Sequence, residues 1–122
     1  MKPSPPSKWV MVKGSGGGGL GDRLRAVLVG IAYARASGRG ISVDWRDGVY
    51  ADVGDNAFER LFQIAGLAYS SPQHLESCTD VFPRAWQGRL NKSMHEVYVE
   101  DGRPPWNRLD AIARYSFSLE HF

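Results

Sequence analysis

The sequence predicts an α/β fold built on a parallel, Rossmann-like βαβ core, and three observations predict it. A short apolar run, Trp9-Val-Met-Val-Lys13, has the length of a buried strand; a glycine-dense turn runs from Gly14 to Gly21; and an amphipathic pattern from Asp22 to about Ser37 has a helical period. Ile41-Ser-Val-Asp-Trp45 then reads as a second strand. So short a return implies a right-handed crossover to a parallel neighbour.

Each element has a local reason. Residues 1–7, rich in proline and serine, read as a disordered tail ahead of a domain spanning 8–122. In the helix, Leu24, Val27, Leu28, Ile31 and Ala34 recur at three- and four-residue intervals, with Arg23, Arg25 and Arg35 outside the stripe or at its border. Asp22 suits the N-cap, and Ser37-Gly38-Arg39-Gly40 stops the helix. Gly30 costs a helix about 1 kcal/mol relative to alanine, so it marks close packing on the sheet.

Further along, Asp55 or Asn56 caps a short helix carrying Phe58, Leu61, Phe62 and Ala65, ended by Gly66. Pro72, Pro83 and Gly88 break the pattern between residues 70 and 93, leaving loop with short helical turns. Glu96 to Glu100 reads as a third strand, ended by Asp101-Gly102. Pro104-Pro105 opens a last helix with Leu109, Ile112 and Tyr115 on its inner face.

Composition bounds the function. With 122 residues, 43% of them hydrophobic, the chain holds one domain with its own core. Fifteen basic against 13 acidic side chains argue against a general nucleic-acid or membrane-surface binder, so any anion site is local. A single cysteine, Cys78, cannot form an internal disulfide. No run is apolar enough to span a bilayer, and the start lacks the apolar segment of a signal peptide, which makes a cytoplasmic protein the default.

The glycine turn is the chemical focus. Glycines let main chain approach a ligand, and the N–H groups and dipole at a helix start favour an anion. Gly14-x-Gly16-x-x-Gly19 and Gly16-x-Gly18-x-x-Gly21 both fit the dinucleotide fingerprint, with Asp44 about 20 residues downstream at the end of the next strand. A run of four glycines fits many patterns, and a plain surface turn is the alternative. Asp44, Trp45 and Arg46 stand at the same carboxyl edge, where open α/β sheets hold ligands. The competing reading is that Trp45 packs on the core rim and Arg46 pairs with a nearby aspartate.

Other constellations are weaker. His74 and Cys78 have an i, i+4 spacing, yet zinc needs three or four ligands and no further cluster accompanies them, so no metal is expected. Asp44, Asp47, Asp52 and Asp55 suit turns and caps better than a glycosidase carboxylate pair. Arg23 and Arg25 on the first helical turn read either as phosphate partners or as ordinary exposed arginines.

Taken together, Gly17-Gly-Gly-Leu-Gly-Asp-Arg-Leu-Arg25, the helical Ala32-Tyr-Ala34, Ile41-Ser-Val-Asp-Trp-Arg46 and Asn56-Ala-Phe58 resemble the amino-terminal part of the α-1,6-fucosyltransferases. The likeness is to the bacterial nodulation-type enzymes in particular, and more loosely to the protein O-fucosyltransferases, and it spans residues 9 to about 66. It implies the N-terminal half of a GT-B glycosyltransferase, inverting and metal-independent, with GDP-fucose as substrate and a glycan as acceptor. By the same resemblance, Gly18, Gly19, Leu20, Gly21, Asp22 and Arg23 form the cleft-facing loop, and Asp44, Trp45 and Arg46 the neighbouring strand end.

The family's His-x-Arg-x-Gly donor motif, carried in its second domain, does not occur in these 122 residues. The expectation is therefore a domain lacking its donor-binding partner, inactive alone and open to self-association through the face that partner would cover. The competing readings are a small NAD- or nucleotide-binding module and a noncatalytic α/β binding domain.

Overall fold

The computed structural model describes residues 6–14, 19–82 and 84–102. Its centre is a parallel pair of strands, β1 (Trp9–Lys13) and β2 (Gly40–Asp44), joined through helix α1 (Leu20–Ser37). The expected βαβ unit is present, in the register Trp9 to Gly40 through Lys13 to Asp44. Beyond β2 the chain forms α2 (Ala57–Leu61), single 3-10 turns at Pro72–His74 and Arg84–Trp86, and α3 (Met94–Glu100). Tyr69 forms a parallel bridge to Ile41, fixed by Ile41 N donating to Ala68 O and Ser70 N to Ile41 O, which starts a third lane outside β2. The architecture is thus a small α/β unit of parallel type. The expected tail at residues 1–7 lies mostly, and the last helix wholly, outside the described residues.

Alternation along the strands sends side chains to two separate cores. Val10, Val12, Ile41 and Val43 pack with Val27 and Ala34 of α1 and with Trp45, Ala57 and Phe58. Met11 points the other way, into Leu75, Trp86, Leu90, Met94 and Val97. The pair is therefore covered on both faces, as parallel strands require, by α1 on one side and the 3-10 turns with α3 on the other.

Helix α1 departs from its expected start and stripe. It begins at Leu20 behind an extended Gly19 N-cap that makes no side-chain cap bond, so Asp22 lies within the first turn instead of capping it. Its buried residues are Arg23, Val27, Gly30 and Ala34, while Leu28 is 66% exposed. The stripe follows one line of four- and three-residue steps that includes an arginine, and apolar counting leaves such a residue out. Gly38, at φ 70°, ends the helix in the left-handed conformation with its N–H on Ala34 O, as the glycine pattern predicts.

Gly30 lies where α1 crosses the sheet. A β-carbon there would stand 2.6 Å from Val12 Cγ2 and 3.4 Å from Ile41 Cδ1. Gly30→Ala therefore gains about 1 kcal/mol of helix propensity but incurs an overpacking cost of about 1–3 kcal/mol. The expected result is a net loss, seen as a lower urea midpoint; a raised midpoint would show that α1 can move away from Val12.

The third strand expected over Glu96–Glu100 is instead helix α3, and the reason is a serine N-cap. Ser93 Oγ accepts from Glu96 N at 3.2 Å and lies 3.3 Å from Glu96 Oε1, so the Ser-x-x-Glu spacing starts a helix. Val97 then turns wholly into the second core. In α2, Asn56 holds the N-cap position without a cap bond. Its side chain extends the β2 ladder, Oδ1 accepting from Trp45 N at 3.0 Å and Nδ2 donating to Val43 O at 2.7 Å.

Candidate functional site

The carboxyl edge of β1 and β2 carries two buried ion-pair systems, and together they account for most of the charged residues that the sequence places there. The first begins with the register itself, which sets Lys13 beside Asp44. Lys13 Nζ donates to Asp44 Oδ2 at 2.6 Å and to the carbonyls of Leu90 and Lys92 at 2.5 and 2.8 Å. It also stands 5.2 Å from the Trp86 ring centroid. One ammonium thus ties the strand end to the loop that launches α3.

Arg46 closes on Asp44 from the other side. Its Nε and backbone N donate to Oδ1 at 2.8 and 3.1 Å, its Nη2 to Oδ2 at 2.9 Å, and its Nη1 reaches Glu76 at 2.5 Å. With Lys13, this gives the Asp44 carboxylate its full complement of about four donors. Burial alone would raise the Asp44 pKa, but the Arg46 hydrogen bonds and the Lys13 charge outweigh it and hold the group below its ordinary value. Burial pulls the Lys13 pKa down, against the opposing pull of Asp44. Arg46 is pushed up, chiefly by its hydrogen bonds to Asp44.

A pH dependence follows from Asp44. Its folded pKa is depressed, so the stabilisation is complete above the unfolded value of about 3.9 and is lost as pH falls through the folded value. The urea midpoint is expected to drop below about pH 4, with a shallower drop in Asp44→Asn. Equal acid slopes in the two proteins would remove Asp44 as the source.

The second system is built on Arg23, which sequence periodicity places at the helix border. Its side chain is fully buried and forks onto Asp47, Nη1 to Oδ1 at 3.2 Å and Nη2 to Oδ2 at 2.5 Å. The guanidinium lies 5.6 Å from the Trp45 ring centroid and 5.3 Å from that of Tyr50, a cation beside two neighbouring aromatic rings. Gly14 makes room for it: a β-carbon there would fall 2.4 Å from Arg23 Nη1. Trp45 is 1% exposed and meets Phe58 edge-on with centroids 5.2 Å apart. Its indole N–H is buried with no hydrogen-bond partner among the described residues.

The sequence-derived site residues therefore separate into two sets. Asp44, Trp45, Arg46 and Arg23 converge on the edge, engaged with the protein's own groups. Gly19, Leu20, Gly21 and Asp22 are exposed at the start of α1, and among the described residues no side chain caps the helix. Gly18 lies outside the described residues. Lys13, Asp47, Asn56 and Glu76 were missed as site organisers. Only Lys13 had a usable signal: strands of equal length in parallel register set a lysine opposite an aspartate.

Among the described residues, no group of three or more histidine, cysteine, aspartate and glutamate side chains gathers to hold a metal, and no helix is long and apolar enough to cross a membrane. Compared with known protein families, with curated proteins and with solved structures, the chain finds no match.

Proposed function

We propose that this chain is the amino-terminal domain of a fucosyltransferase-like glycosyltransferase of GT-B type. Within it, the glycine loop and the first turn of α1 form one wall of the cleft in which a sugar, fucose from GDP-fucose, is transferred to a glycan acceptor. One observation carries the reading. The helix that follows the glycine loop opens at the carboxyl edge with Gly19, Leu20, Gly21 and Asp22 exposed and no side-chain cap among the described residues, over a base braced by Arg23 and Asp47. Main-chain N–H groups at such a start suit phosphate or hydroxyl oxygens, and the exposed Asp22 carboxylate suits sugar hydroxyls. A companion domain supplies the donor-binding basic residues in this account.

The dinucleotide reading is less well supported, for a specific reason. It needs the acidic residue at the end of the second strand to accept from ribose hydroxyls. Asp44, in that position, already accepts from Lys13 and three donors of Arg46.

Isothermal titration of the 122-residue chain with GDP-fucose, a glycan acceptor and NADH separates the readings. Weak binding of the sugar ligands, of millimolar order or about 4 kcal/mol, with no response to NADH is expected. Binding of NADH in preference to the sugar ligands would replace this proposal with the dinucleotide one.

A further inference from the structure

A hollow opens on the loop that follows β2, and Tyr50 joins it to the first turn of α1. Its volume is about 460 Å³, and its lining includes Tyr50, Asp52, Asp55, Arg60 and Leu61. The Tyr50 ring centroid lies 5.3 Å from the guanidinium of Arg23, a residue of that first turn. A neighbouring hollow of about 540 Å³ shares Arg60 and Leu61 and continues to Phe62 and Gln63, so the two follow one another along α2.

The loop that shapes the hollow is held along its length. Gly54 N donates to Arg46 O at 3.1 Å and Asp55 N to Asp52 O at 2.9 Å. Asp47 is fixed by Arg23, and the Asn56 side chain by the main chain of Val43 and Trp45. Gly48 and Gly54, at φ 87° and 92°, supply the turns. A concave surface tied down in this way is preformed, as small-molecule sites usually are.

Its lining selects a chemistry. Tyr50 and Leu61 are exposed apolar walls. Among the described residues the Asp52 carboxylate has no partner, and Arg60 commits Nη2 to Asp55 Oδ2 at 2.9 Å, which leaves its other N–H groups available. Two carboxylates against one guanidinium disfavour a phosphate, and the guanidinium disfavours an organic cation. A neutral polyol suits both halves: its hydroxyls donate to carboxylate and accept from guanidinium, while its C–H surface covers the ring and the leucine. Two hollows in succession suit a ligand made of such units in a chain.

We infer that this hollow is a subsite for a neutral saccharide, with Tyr50 and Leu61 against one sugar ring and Asp52, Asp55 and Arg60 on its hydroxyls. That the sugar belongs to the acceptor rests on the transferase reading above; that it binds here does not. Amide-resolved NMR of the full 122-residue chain tests this with maltose, cellobiose, lactose, mannobiose and chitobiose, and with GMP and choline as charged comparators. At least one disaccharide is expected to shift the resonances of Tyr50, Asp52, Asp55 and Leu61, saturating at about millimolar concentration.

Asp52→Asn, at an exposed position, should keep the native urea midpoint and bind that disaccharide about fivefold or more weakly. Tyr50→Phe keeps the ring and should bind within about twofold of the native chain, whereas Tyr50→Leu should not. No response to any disaccharide, or undiminished binding in Asp52→Asn, would overturn the subsite. So would a stronger response of the same amides to GMP or choline, which would assign the hollow to a nucleotide or a cation. Shifts confined to Gly19–Asp22 would overturn the subsite and leave the transferase reading standing. Saccharide shifts in the hollow without any response to GDP-fucose would support the subsite and count against that reading.

Discussion

Asp47→Ala is expected to cost about 3–5 kcal/mol of stability, because it leaves the Arg23 guanidinium buried without its carboxylate. The fork on Asp47 uses two donors of a side chain with no solvent exposure, so the lost charge cannot be replaced by water without opening the helix start. The aromatic rings of Trp45 and Tyr50 remain, but a ring quadrupole contributes about 2 kcal/mol toward a desolvated cation and does not neutralise its charge. Arg23→Lys is expected to recover only part of the native stability, since an ammonium cannot fork onto a carboxylate or stack on an aromatic ring. Urea denaturation of the three proteins measures the effect. A loss below about 1 kcal/mol in Asp47→Ala would mean that the pair behaves as an exposed one and does not brace the loop.

Asp44→Ala is expected to be at least as damaging, at about 3–5 kcal/mol, for a related reason. It removes the acceptor shared by Lys13 and Arg46 and leaves Lys13, 3% exposed at its side chain, with two carbonyls and the Trp86 ring but no carboxylate. Arg46 keeps Glu76 and reaches solvent, so most of the cost falls on Lys13. Lys13→Met in the same background should restore part of the loss, because the uncompensated charge is then gone and the chain fills the space beside Trp86. A double variant no more stable than Asp44→Ala would contradict this division of the cost.

These two networks explain what the sequence could and could not reveal. The βαβ unit was legible because Trp9–Lys13 and Gly40–Asp44 are short apolar runs on either side of a helical period, and glycines mark both turns. Gly30 was legible as a packing glycine, and its clash distance to Val12 gives the reason. The segment 96–100 was misread because β-branched Val97 and Val99 outweighed the Ser93-Glu96 spacing, although the capping bond decides the outcome. Arg23 was misplaced because periodicity counts apolar residues, and a buried arginine becomes visible only once Asp47, Trp45 and Tyr50 are brought around it.

The same limit applied to the strand end. Asp44, Trp45 and Arg46 were recognised as occupying the carboxyl edge, and they do. The engagement of Asp44 with Lys13 and of Arg46 with Glu76 depends on contacts more than 25 residues apart in sequence. No local pattern encodes those pairings. What they leave facing outward is the first turn of α1, and the functional proposal rests on that turn.

The most direct measurement is therefore an amide-resolved NMR titration of the chain with GDP-fucose and with a glycan acceptor. The account predicts that the resonances of Gly19, Leu20, Gly21 and Asp22 shift first and most, while those of Asp44 and Arg46, held in their ion pairs, stay in place. Shifts centred on β2 and its carboxyl end, with the first turn of α1 unmoved at millimolar ligand, would contradict it.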